Sequence, residues 1–298
     1  MFAGSLVALI TPFRDGEVDE PKLRELVEWH IGSGTDGLVP VGTTGEAVTL
    51  SEKEHQRVIQ IVTETAARRI PVIAGTGTND TARVIKHNRT AREAGADAVL
   101  VVTPYYNKPT QEGLFRHYEA IAARTDLPIV MYNVPSRTSL NMLPETVIRL
   151  SKIDNIVGIK EASGSMDQVS TIVGGCEPGF VVLSGDDSLT LPIMALGGKG
   201  IVSVVANVAP QPVAEMTDAF LGGDLERARE LHYSLFNLCR AMFIETNPIP
   251  VKTAAGMLGL CSDEIRLPLC PMSGANAAKL RQALLAFGLL KSEDDQGG

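Results

Sequence analysis

A chain of 298 residues with 27 basic and 35 acidic side chains carries a formal charge of −8, which speaks against nucleic acid or an anionic membrane as its main partner and points to a small ligand. At this length about three quarters of the extended surface can be buried, so one large core needs no covalent staples. A mean hydropathy of +0.09 is that of a globular, enzyme-like protein, and no apolar run approaches the roughly 20 residues that cross a bilayer.

The opening stretch 1–10 is apolar but has no basic lead-in and no small-residue cleavage site, so it is expected to form a first strand rather than a leader. From there, runs of strand length recur at 6–11, 37–42, 71–77, 98–104, 128–134, 156–162, 180–187 and 200–207. Between them lie amphipathic segments such as 21–33, 51–68 and 81–94, with apolar residues at three- and four-residue steps. Ser51-Glu52-Lys53-Glu54 and Ser165-Met166-Asp167-Gln168 each fit the capping box that opens a helix. Near-continuous apolar strands alternating with helices imply a parallel sheet covered on its outside, and eight such units are the number that closes a (β/α)8 barrel. A doubly wound open sheet would usually carry a dinucleotide fingerprint, which is absent. The expected architecture is therefore a TIM barrel over 1–223. A C-terminal helical extension follows over 224–298, broken near Asn247-Pro248-Ile249-Pro250 and Leu267-Pro268 and ending in a frayed acidic tail at 292–298.

Four cysteines, at 176, 239, 261 and 270, make no C-x-x-C pair and suit reduced thiols of a cytoplasmic protein. Five histidines, at 30, 55, 87, 117 and 232, show neither H-x-H nor H-E-x-x-H spacing, which leaves metal-dependent chemistry without support. Of the ten lysines, only Lys160 closes a run of β-formers flanked by helical patterns. A lysine amine is nucleophilic when neutral. An ordinary pKa of about 10.4 leaves roughly one in a thousand in that form near neutrality, and burial can recover it. Lys160 thus reads either as a Schiff-base lysine or as the partner of a carboxylate such as Glu161.

Barrel sites are built at the C-terminal ends of strands. That rule selects Gly42-Thr43-Thr44-Gly45-Glu46, suited to an anion or else an ordinary turn, and the loop holding Tyr105 and Tyr106. It also selects Tyr132, a candidate proton carrier one strand before Lys160, and Arg137, whose fork of donors fits a carboxylate. Of Asp186 and Asp187, at least one is expected to cap the following helix.

The segments Gly42-Thr43-Thr44-Gly45-Glu46, Tyr132-Asn133-Val134-Pro135-Ser136-Arg137-Thr138 and Gly158-Ile159-Lys160-Glu161-Ala162-Ser163 resemble the pyruvate-dependent class I aldolases of the N-acetylneuraminate lyase superfamily. Arg137 and the Tyr105-Tyr106-Asn107 loop are similar to its dihydrodipicolinate synthase branch, and the likeness spans nearly the whole chain. The resemblance implies a lyase that condenses pyruvate with L-aspartate 4-semialdehyde on the diaminopimelate route to lysine, without metal, flavin or nucleotide. It implies a Schiff base at Lys160, a pyruvate carboxylate held by Thr43 and Thr44, and proton transfer by Tyr132 through Thr43 to Tyr106 of a neighbouring subunit in a homodimer or homotetramer. It further implies Arg137 on the semialdehyde carboxylate, Gly185 and Val202 lining the pyruvate pocket, and a possible allosteric pocket at His55, Asn79 and Tyr105. Arg83 and Glu52 depart from the lysine-inhibited pattern at that pocket, so weak or absent lysine feedback is expected. Three rivals remain on the residues: a sugar-acid aldolase of the same superfamily, a pyridoxal phosphate enzyme using Leu196-Gly197-Gly198-Lys199-Gly200 as a phosphate loop, and a barrel that binds metabolites without catalysis.

Overall fold

Eight short apolar segments pair side by side: β1 (Gly4–Ala8), β2 (Gly37–Val39), β3 (Ile73–Gly75), β4 (Ala98–Val102), β5 (Ile129–Asn133), β6 (Ile156–Glu161), β7 (Val181–Ser184) and β8 (Gly200–Ser203). The structure, a computed structural model, describes residues 2–291. All neighbouring strand pairs are parallel, in the order β2-β1-β8-β7-β6-β5-β4-β3, and a parallel bridge from Leu38 to Val72 joins the two outer strands into a ring. The expected eight-stranded barrel is the observed one. Strands buried on both faces explain the unbroken apolar runs that announced them.

Side-chain alternation divides each strand between two cores. Leu6, Val39, Leu100, Val130, Leu183 and Val202 fill the barrel interior. Val7, Leu38, Val101, Met131 and Ile159 face the outer helices. Those helices start where local chemistry predicts. Asp19 caps Glu20–Gly32, which has Pro21 in its first turn, and both halves of the capping box are made by Ser51 and Glu54 on Glu52–Ala66. The second expected box is half formed, because Ser165 accepts from the Gln168 amide but the Gln168 side chain turns to Met142, Asn141 and Glu161 instead.

An unexpected two-stranded hairpin, Phe13–Arg14 with Glu17–Val18, follows β1. It turns at Asp15-Gly16, both left-handed (φ 54° and 84°), and Asp-Gly is the residue pair that such a tight hairpin favours. Past Pro210–Leu221, the described chain adds the helices Leu225–Ala241, Ile249–Met257 and Gly274–Phe287. The acidic tail at 292–298 lies outside the described residues. Among the described residues no helix is long and apolar enough to cross a membrane.

Candidate active site

Parity along β6 decides which way each end residue points. Gly158 and Lys160 share the inward face, while Ile159 and Glu161 face outward. Glu161 is occupied there, accepting from Asn133 Nδ2 at 3.1 Å and the Ser163 amide at 2.7 Å. The alternative of a Lys160–Glu161 ion pair is therefore excluded. Lys160 is 5% exposed, and burial pulls its pKa down to about 8, partly countered by the charge of Asp187 and reinforced by Arg137. The β5–β6 register sets Tyr132 beside Lys160, with Nζ 4.3 Å from the phenol ring centroid. Burial also pushes the Tyr132 phenol up to about 12, which keeps it protonated and able to donate. At Gly185 a β-carbon would stand 3.1 Å from Lys160 Cε and 2.7 Å from Ala162 Cβ, so only glycine leaves the lysine its space.

Two acidic residues follow β7 and separate in role. Asp186 accepts from the Ser188 amide at 3.0 Å, the expected cap. Asp187 is buried, accepting from Ser203 Oγ at 2.5 Å and the Val204 amide at 3.0 Å, and burial nevertheless pushes its carboxyl up to about 6.

A cavity of about 820 Å³ opens over this end of the barrel. Among its walls are Lys160, Tyr132, Thr43, Thr44, Arg137 and Gly185, drawn from the C-terminal ends of four strands and the segments that follow them. Arg137 Nη2 donates to the Asn247 carbonyl at 3.0 Å. Tyr105, expected at a regulatory pocket, lines this same cavity. Val202 sits deeper, 1% exposed in the barrel interior and off the cavity wall, which Val204 two residues on does reach. Tyr106 is 90% exposed on a left-handed turn (φ 69°), so a single chain does not bring it to Thr43 or Tyr132. His55 is buried beside the barrel, with Nε2 2.9 Å from the Gly75 carbonyl and its ring stacked on His87, while the Asn79 carbonyl accepts from Asn107.

Sequence reasoning missed two groups that touch the Thr43-Thr44 loop and its flank. Asn247 was seen only as part of a helix break, yet its Nδ2 donates to Thr44 Oγ1 at 2.9 Å. Lys252 is wholly buried and donates to Glu46 Oε1 at 2.6 Å. No local signal distinguishes Lys252, because its burial depends on helix Ile249–Met257 docking over the barrel.

A model of the dihydrodipicolinate synthetase family matches residues 1–287. The chain belongs to that family. The 4-hydroxy-tetrahydrodipicolinate synthase of Geobacter sulfurreducens is 59% identical over 290 residues, covering 97% of this chain and 100% of that one. The solved dihydrodipicolinate synthase of Aquifex aeolicus superposes with a TM-score of 0.95 at 52% identity, covering 98% of this chain and 100% of that one. A third relative, the chloride-inhibited dihydrodipicolinate synthase of Acinetobacter baumannii solved with pyruvate, has a TM-score of 0.95 at 46% identity, covering 97% of this chain and 100% of that chain. Membership in the dihydrodipicolinate synthetase family sets the buried lysine among enzymes rather than among passive metabolite binders.

Proposed function

We propose that this chain condenses pyruvate with L-aspartate 4-semialdehyde to give 4-hydroxy-tetrahydrodipicolinate, the first committed step of the diaminopimelate route to lysine. The observation that carries the reading is a buried amine, pulled down to about 8, set against a protonated phenol in a cavity that also presents an arginine. Neutral Lys160 attacks the pyruvate ketone, and loss of one water leaves a protonated imine. That imine draws electrons from the adjacent methyl group, so a proton leaves and an enamine forms. The enamine carbon bonds to the semialdehyde carbon, whose oxygen takes a proton and remains as the ring hydroxyl. The substrate amine then attacks the imine carbon, and the lysine amine departs as the ring closes, so one water is released overall.

In this reading Tyr132 moves the protons, Thr43 and Thr44 receive the pyruvate carboxylate, and Arg137 takes the semialdehyde carboxylate as a charge-assisted pair. Gly185 keeps the approach to Lys160 open. Thr43 links Tyr132 to Tyr106 of a second copy, which calls for a homodimer or a pair of dimers. The setting is cytoplasmic, in line with four unpaired cysteines. Arg83 and Lys86 put positive charge beside His87, whose ring stacks on His55, and micromolar L-lysine is expected to leave turnover unchanged.

The test is coupled turnover of pyruvate with aspartate semialdehyde, set beside pyruvate with N-acetylmannosamine. Turnover is expected only with the first pair. Borohydride in the presence of pyruvate should add one reduced pyruvyl group at Lys160, and none to Lys160→Ala. Turnover with the sugar instead would overturn the substrate assignment, and an unmodified Lys160 would overturn the chemistry.

A further inference from the structure

The loop carrying Thr43 and Thr44 is bracketed by non-glycine residues in left-handed backbone, Val41 (φ 49°) and Glu46 (φ 54°). A β-branched residue there is a costly outlier that persists only where surrounding structure holds it. Thr11 Oγ1 donates to the Gly45 carbonyl at 2.7 Å, and further support for this loop comes from the far end of the chain. Lys252 Nζ binds one Glu46 oxygen at 2.6 Å, and the Arg266 amide binds the other at 3.1 Å. Both cationic side chains rest against the Phe13 ring at 4.2 Å, on the hairpin that follows β1. The side chains of the Lys252–Glu46 pair are 1% and 2% exposed, whereas those of the Arg266–Glu54 pair are 19% and 22% exposed. A buried ion pair costs desolvation on both sides, and apolar residues of equal volume would often stabilise a fold as well or better. Stability is thus a poor account of it; direction is a better one.

The second contact concerns a single proton. Asn247 Nδ2 can only donate, so its 2.9 Å bond to Thr44 Oγ1 uses a lone pair of the hydroxyl and leaves its one O–H free. The other amide atom, Oδ1, is buried without a partner among the described residues, so Asn247 is not accounted for by packing needs alone. Thr44 is itself buried on the cavity wall.

We propose that Asn247 and the Glu46–Lys252 pair are positioning residues for the keto acid: together they hold the Gly42–Gly45 turn in place and aim the Thr44 hydroxyl proton at the substrate carboxylate. The inference rests on the reading that this turn receives the carboxylate of pyruvate. It assigns to the C-terminal helices a part in substrate recognition beyond covering the barrel.

Two full-length variants test it, Asn247→Ala and the paired apolar replacement Glu46→Leu with Lys252→Met, each checked for native circular dichroism. Reductive trapping on Lys160 is measured by mass, with pyruvate and with acetone, a ketone that has no carboxylate. Losing one aimed hydrogen bond to a charged group should raise the pyruvate concentration for half-maximal trapping about tenfold or more in each variant. The acetone trapping rate should stay within about twofold of the parent enzyme, because acetone makes no use of the aimed proton. A pyruvate half-saturation within twofold of the parent in either variant, or acetone trapping that falls in parallel, overturns the assignment. If the parent enzyme itself is not trapped by pyruvate, the functional reading fails first, and that result is separable because it needs no variant.

Discussion

Lys160 binds its proton less tightly in the folded chain, at about 8, than an exposed lysine does at 10.5. Between those values the unfolded state holds more protons, so for this group stability rises with pH from about 8 to 10.5, and below 8 its full cost is present. Replacing Lys160 with Met removes that cost. At pH 7 the variant should be more stable than the parent by about 3 kcal/mol, and the gap should close as pH approaches 10.5. Urea unfolding across that range measures it, and a variant no more stable than the parent at pH 7 would mean the amine is solvated. On the proposed chemistry the same titration should govern reactivity, since only a neutral amine attacks a ketone. Initial trapping rates with pyruvate should rise with pH and level off above about 8.

At the scale of elements, the site depends on one register and one docking event. Pairing of Tyr132 with Lys160 across β5 and β6 places phenol and amine side by side, and slipping either strand by one residue would turn one of them outward. Docking of helix Ile249–Met257 seals Lys252 against Glu46. Changing Lys252 alone to Met leaves a buried carboxylate without its cation, which should cost about 3 to 5 kcal/mol, whereas the paired apolar variant should lie close to the parent. Denaturant midpoints of the two proteins compare these directly. Equal losses in both would show that the pair matters for packing volume and not for charge.

For the whole molecule the informative residue is Tyr106, 90% exposed on a left-handed turn. An exposed aromatic held in costly backbone suits a contact that a second copy completes. Sedimentation at assay concentrations should give a dimer or tetramer, and Tyr106→Ala should lower kcat at least about tenfold while Lys160 still traps pyruvate. A fully active monomer would remove Tyr106 from the relay.

Strand count, barrel class and the place of Lys160 near the end of a buried strand were legible in the chain because each follows from local pattern: apolar runs buried on both faces, and one amine closing such a run. The Asp15-Gly16 turn was equally local, though easily passed over between two-residue strands. Which way Glu161 faces became certain only with the strand register. The Asn247–Thr44 and Lys252–Glu46 contacts join residues about 200 positions apart, and no periodicity encodes such separation. Sequence by itself determined the elements and which amine closes a buried strand, because burial pattern and residue chemistry act over a few neighbours. Tertiary structure alone decided what surrounds that amine, because desolvation and hydrogen-bond direction depend on which distant segments close over it.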